Sequence, residues 1–166
     1  MAAEDPACAV AHGAKGSPAQ TRTLVAVFAS PVAEFLLRYG EDLGYRTVLY
    51  DPDPSRAVPG ATAELPDLDE DTDVVVTDHH RPELGAALRD VLARPVRWAG
   101  VMGNPRHEGP HVAALRSLGV PEADIARVHR PIGLDIGSRH PAEIAIATLA
   151  GLIADRNNRP GGFFTR

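Results

Sequence analysis

Residues 23–51 read TLVAVFASPVAEFLLRYGEDLGYRTVLYD. The stretch opens on a continuous apolar run, TLVAVFA (23–29), of the kind shown by a strand buried on both faces. Ser30 and Pro31 follow as an N-cap and a first helical residue, an opening that suits both side chains. Val32, Phe35, Leu36, Tyr39 and Leu43 then recur at helical spacing, and Gly44 stops the helix. RTVLYD (46–51) is a second strand, ended by DPDP, whose prolines cannot enter a central ladder. Strand, helix and strand within about thirty residues make the unit of a parallel sheet.

The pattern repeats outward. After a loop rich in Pro and acid, DVVVTD (73–78) reads as a third strand. A helical stretch over 82–93 carries Leu84, Leu88, Val91 and Leu92 on one face, and Pro95 closes it. VRWAGVMG (96–103) is a fourth strand. Val112, Leu115 and Leu118 mark a helix ending at Gly119, with a short PEADIARV segment behind it. HRPIGLDIG (129–137) reads as a loop or short strand, and Pro141 opens a last helix that is apolar almost all round through Ile153. Such a helix is expected to be buried on more than one side. The class is therefore α/β: a Rossmann-like, doubly wound parallel sheet in one domain over 23–156, between flexible tails at 1–22 and 157–166. Ligands of such sheets bind at the carboxyl ends of strands where the winding reverses. Counting four strands, that point is the turn Ala29-Ser30-Pro31, facing the turn Gly103-Asn104-Pro105-Arg106.

Composition agrees and narrows the function. The chain has 166 residues, 44% hydrophobic and 23% charged, which is globular rather than disordered. A domain of that size buries roughly 70% of its unfolded surface and needs no staple. Seventeen Lys and Arg against 22 Asp and Glu give a net charge of −5, which argues against electrostatically driven nucleic-acid binding. The single cysteine, Cys8, excludes a disulfide framework within the chain and a cysteine-based zinc module. The longest apolar stretch, IAIATLAGLIA (144–154), falls short of a bilayer span. No signal peptide is visible, so a cytoplasmic protein is expected.

Several residues have the right chemistry for a site. Asp51 ends the second strand, where a carboxylate holds ribose hydroxyls in dinucleotide folds; the other reading is an Asx turn before Pro52. The first turn, F-A-S-P-V-A, lacks the glycines that admit a pyrophosphate. In W-A-G-V-M-G-N-P-R-H, Gly100 and Gly103 allow close backbone approach. Arg106 and His107 supply donors beside a helix start, and Gly103 and Asn104 backbone amides, which makes either an anion site or a plain strand-to-helix turn. His107-Glu108-Gly109-Pro110-His111 matches HExxH formally. Pro110 belongs in a first helical turn, however, so His107 falls ahead of the helix and the zinc geometry is not enforced. Asp78, His79 and His80 end the third strand as an acid/base, metal-binding or merely capping cluster. Asp67, Asp69, Glu70, Asp71 and Asp73 read as a solvated acidic loop. Cys8 has no neighbour that would activate it.

From Val74 to Arg156 the chain resembles the Rossmann domain of the XdhC/CoxI family, accessory proteins of molybdenum hydroxylases such as xanthine dehydrogenase. The family's G-x-x-G-S-R-R turn reads here Gly100-Val101-Met102-Gly103-Asn104-Pro105-Arg106, with Asn104 and Pro105 in place of its Ser and first Arg. Its signature P-I-G-L-D-I-G-x-x-x-P-x-E-I-A is met in full, from Pro131 through Gly137 to Pro141, Glu143, Ile144 and Ala145. The resemblance implies a non-catalytic role in binding or delivering molybdenum cofactor to a client hydroxylase. It also implies a Rossmann-only member, in which a short tail replaces the family's cysteine-bearing N-terminal domain. The first glycine turn of the family, F-G-A-G-H-V-A, is one residue shorter here and has lost its glycines. The expected cofactor-binding set is Ser30, Asp51, Gly100, Gly103, Asn104, Arg106, Gly133, Asp135 and Gly137. Arg106 would meet the cofactor's phosphate, and the PIGLDIG loop would form the opposite wall. The expected partners are a molybdenum hydroxylase or a full-length relative, and the apolar last helix suggests a homodimer. The alternatives are an NAD(P)-binding oxidoreductase, disfavoured by the missing glycines, and a scaffold without ligand.

Overall fold

In a computed structural model, described over residues 10–11, 21–56, 58–104 and 106–163, β1 (Thr23–Val27) is buried along its whole length. It lies between β2 (Arg46–Tyr50) and β4 (Thr72–Val76), both parallel to it. β5 (Trp98–Val101) pairs with β4, and two-residue strands close the edges: β3 (Ala61–Thr62) beside β2, and β6 (Val128–His129) beside β5. The order β3-β2-β1-β4-β5-β6, all parallel, is the doubly wound Rossmann arrangement.

The period of two along each strand sorts side chains between two layers. Val25 and Val27 of β1, with Val74 and Val76 of β4, face α2 (Leu84–Leu92) and α3 (Pro110–Ser117), where Leu88, Val91 and Leu115 are fully buried. Ile125 of the one-turn α4 (Glu122–Ile125) joins the same cluster. Leu24, Ala26 and Val75 face the other way, against Leu36 of α1 (Pro31–Asp42) and Leu149 and Leu152 of α5 (Pro141–Arg156). Each fully buried Leu or Val contributes about 1.5–3 kcal/mol relative to exposure, so these two layers dominate stability.

Local signals hold where they were expected. Ser30 caps α1 by accepting from the Ala33 N–H at 3.0 Å, Pro31 sits in its first turn, and Gly44 follows its end at φ +83°. Two expectations change. The loop after the second strand hides β3, so the sheet has six strands among the described residues and the strand over 96–103 is the fifth rather than the fourth. Asp73 is also not part of a solvated acidic loop. It lies inside β4, 0% exposed, accepting from the Tyr45 hydroxyl and from Arg97, which reaches on to Asp155 of α5. Burial pushes its carboxyl above the ordinary carboxylate range, against the pull of Arg97 and Tyr45. Among the described residues, no helix is long and apolar enough to cross a membrane. Cys8 and Pro105 lie outside the described residues.

Candidate functional site

The presence of β3 moves the point where the winding reverses. β4, not β5, neighbours β1, so the winding reverses between the turn at 29–31 and the loop that leaves β4. That crevice is closed by the protein's own hydrogen bonds. The Ala29 N–H donates to Asp51 at 3.0 Å, and the Ser30 hydroxyl donates to Thr77, which itself donates to the Phe28 carbonyl. Asp51 is 2% exposed and bound at both oxygens by the Arg81 guanidinium, at 2.9 and 3.1 Å; it also accepts from the Asp53 N–H in an Asx turn. Burial pushes the Asp51 carboxyl up, but the Arg81 pair and the two N–H bonds outweigh it and hold it below the ordinary carboxylate value. Arg81 lies 4.7 Å over the Phe28 ring, and Phe28 takes φ 73°, a conformation rare for an aromatic residue. A hollow of about 490 Å³ beside this turn is lined by Ala29, Ser30, Pro31, Leu49 and Val58. The turn has no free glycine amide to offer it, and Asp51 has no free oxygen for a ribose.

One strand over, a cleft of about 520 Å³ opens between the loop leaving β4 and the loop leaving β5. His79, His80 and Arg81 line one side, Asn104, His107 and Glu108 the other, and Arg130 reaches in from the end of β6. The Arg130 guanidinium donates to the carbonyls of His107 at 2.6 Å and Asn104 at 3.2 Å, tying down the β5–α3 loop. Its buried Nε has no hydrogen-bond partner. The rings of His79 and His80 lie 4.1 Å apart. Burial, then His80 and Arg130, push the His79 imidazole below the ordinary histidine value. Burial and Arg130 do the same to His111, behind the cleft in α3.

The expected site residues divide accordingly. Asn104 lines the cleft, whereas Arg106 is exposed, does not line it, and only donates its backbone N–H to Asn104. Arg130 takes the position sequence reasoning gave to Arg106. Gly103 lacks a side chain because the Arg130 guanidinium fills that space, and Gly100 because Trp98 and Ile132 do. Gly133, at φ +86°, presses on the backbone of α5, where a Cβ would stand 3.1 Å from Ala147 and Thr148. Asp135 and Gly137 are exposed in the same loop, away from the cleft lining. His107 is exposed ahead of α3 and His111 buried within it, so the HExxH spacing forms no metal site; no group of three metal-ligating residues occurs among the described residues. Arg130 carries no local sequence signal. The one hint to it is Gly103, a small residue that something distant must fill.

A family model for the XdhC Rossmann domain matches residues 24–152, most of the chain and nearly the whole sheet. The chain belongs to the XdhC family. It is 35% identical over 107 residues to the uncharacterized protein YqeB of Escherichia coli, a match covering 64% of this chain and 19% of that one. Its fold is similar to that of a protein described as a xanthine dehydrogenase from Bacillus halodurans, with a TM-score of 0.64 and 24% identity. That likeness covers 84% of this chain and 44% of the other. This XdhC domain thus spans less than half the length of either protein.

Proposed function

We propose that this chain is an accessory protein of a molybdenum hydroxylase and holds the phosphate end of molybdenum cofactor in the cleft between the loops that leave β4 and β5. Family membership supports the accessory role, and the described name of the structural neighbour agrees with it. The observation that carries the ligand reading is Arg130. Two of its five N–H donors are committed to the loop carbonyls, and its buried Nε is unpartnered. Nε packs on Gly103, so the N–H groups left on the two terminal nitrogens are the ones that would meet a phosphate oxygen. The residues therefore fit an anionic group. Arg130 would meet the phosphate, His79 and His80 would flank it, and Asn104 would offer its amide. The cofactor, once delivered, supplies the molybdenum centre of the client enzyme. The domain's own part is to bind and orient.

The test is cofactor retention in a cell that makes molybdopterin, read as pterin released per protein. Arg130→Ala removes a charge-assisted contact typically worth about 1.5–3 kcal/mol, so retention should fall roughly ten- to a hundredfold. Arg106→Ala should retain as much as the parent protein. Equal retention by both variants, or none by the parent, removes the cofactor reading and leaves the scaffold. Copurification with a molybdenum hydroxylase tests the partner separately.

A further inference from the structure

We propose that the apolar half of the cleft seats a flat ring of the phosphate-bearing ligand, and that Gly85 and Ala114 set the room available to it. The proposal rests on the reading of the cleft as a phosphate site and adds the class of ester that enters. Charge alone cannot hold the ligand. The guanidiniums of Arg81 and Arg130 are matched by the carboxylates of Asp51, Glu83 and Glu108. Arg81 is paired with Asp51 and stands 3.4 Å from Glu83, while Glu108 lines the cleft together with Arg130. A bare anion therefore finds the free N–H groups of Arg130 and no surplus of positive charge. At about 520 Å³ the cleft is also far larger than a phosphate group and has the size of a site for small organic ligands. The rest of the ligand has to fill it.

Apolar groups line that remaining space. Pro82, with Leu84 and Gly85 of α2, meets Pro110 and Ala114 of α3 there. The two helices touch at its floor. A Cβ on Gly85 would stand 3.0 Å from the Ala114 Cβ and 3.2 Å from Leu118 Cδ1. Glycine against methyl leaves a low, smooth floor, and Leu118 beside the same glycine stays 43% exposed. Such a surface offers dispersion contact and no side-chain hydrogen bond, which suits the face of a ring and not a polyol. The polar lining, Asn104, His79, His80 and Arg130, is left for the phosphate and the edge of the ring. Burying one face of a ring on that floor is worth roughly a tenfold gain in affinity over an ester whose remainder is hydroxylated.

Phenyl phosphate and glycerol phosphate are the probes, titrated by calorimetry, because they share the phosphate and differ in the remainder. Phenyl phosphate should bind roughly tenfold tighter. Ala114→Leu raises a branched side chain from the floor and should erase that preference by weakening phenyl phosphate alone. Gly85→Ala, a smaller change to a better helix former, should reduce the preference in the same direction and decides if Ala114→Leu does not fold. Arg130→Ala should weaken both esters together. In the parent protein, the ring protons of phenyl phosphate should show NOEs to the Ala114 methyl group. Equal affinity for the two esters, both dependent on Arg130, would overturn the ring seat and leave the cleft as a phosphate site. A preference that survives both floor variants, or the absence of those NOEs, overturns it as well. Failure of both esters to bind, or binding indifferent to Arg130, would remove the phosphate reading and the proposal with it. Displacement of phenyl phosphate by a pterin monophosphate and not by AMP supports the cofactor as the source of the ring; AMP as the better competitor overturns that source.

Discussion

Arg81 fills the place that a Rossmann sheet normally keeps for a nucleotide. Its guanidinium pairs with Asp51 and covers Phe28, whose positive φ is held by three neighbours. These are the 2.8 Å bond from its N–H to Tyr50, the Thr77 hydroxyl on its carbonyl, and Arg81 over its ring. At 6% and 2% exposure, Arg81 and Asp51 are both out of water, so removing one partner leaves an uncompensated charge. Arg81→Ala is expected to cost about 3–5 kcal/mol near neutral pH, measured by urea unfolding. The sign with pH follows from Asp51. Its carboxyl is held below the ordinary value in the folded protein, so the pair stabilises fully above the unfolded-state pKa and is lost as pH falls through the folded one. The penalty of Arg81→Ala should therefore shrink in acid, where the orphaned Asp51 takes a proton. An equal penalty at both pH values would contradict the pairing.

At the scale of elements, two contacts decide what the rim can accept. The β1–α1 turn uses its own donors: Ala33 N–H goes to the Ser30 side chain, Glu34 N–H to the Ser30 carbonyl and Ala29 N–H to Asp51. A pyrophosphate would have to displace these bonds as well as meet the Ala29 and Ser30 side chains. NAD(P) is accordingly expected to bind weakly or not at all; calorimetry giving an affinity tighter than about 10 μM, or roughly −7 kcal/mol, would contradict this. The second contact is the PIGLDIG loop on α5. The Leu134 N–H donates to the Ala147 carbonyl at 3.0 Å, and a Cβ on Gly151 would meet the Gly133 Cα at 3.0 Å. Gly133→Ala combines a left-handed backbone with a clash against main-chain atoms that cannot turn aside. A loss of roughly 2 kcal/mol or more is expected in thermal or urea unfolding. An unchanged midpoint would mean that the loop does not press on the helix.

For the whole molecule, the doubly wound order places β4 at the centre. One end of it carries the Asp73–Arg97–Asp155 network that ties β4 and α5, and the other carries the His79–His80 loop. The proposed binding end of the strand is thereby separated from the end that anchors it. The self-association expected from the apolar last helix now rests on little surface. α1 and the 131–137 loop cover much of that helix, where Ile146 stays 51% exposed; Ile136, in the loop itself, is 55% exposed. Light scattering at high micromolar concentration tests it, and a monomer there would remove the expectation.

The α/β class, the four long strands and the helices with their caps were legible in the chain because each rests on a period or a capping residue within a few positions. The runs 23–29 and 73–78 announce buried strands, and Ser30, Pro31 and Gly44 bound a helix without reference to anything distant. The family signature from Pro131 to Ala145 was legible for the same reason. β3 and β6 were not, since two residues carry no period and become strands only by pairing with Leu49 and Tyr50 or with Ala99 and Gly100. Missing β3 placed the winding reversal one strand too far, at Gly103–Arg106. The strand that neighbours β1 leads instead into Asp78, His79 and His80, a cluster visible in the chain but without a place. Arg130 lay further out of reach. Its contacts with Asn104 and His107 span 26 and 23 residues, and which arginine enters a cleft is settled by the edge strand that carries it there. Local chemistry determined the elements; their order in the sheet, which no local pattern encodes, decided which side chains share the rim.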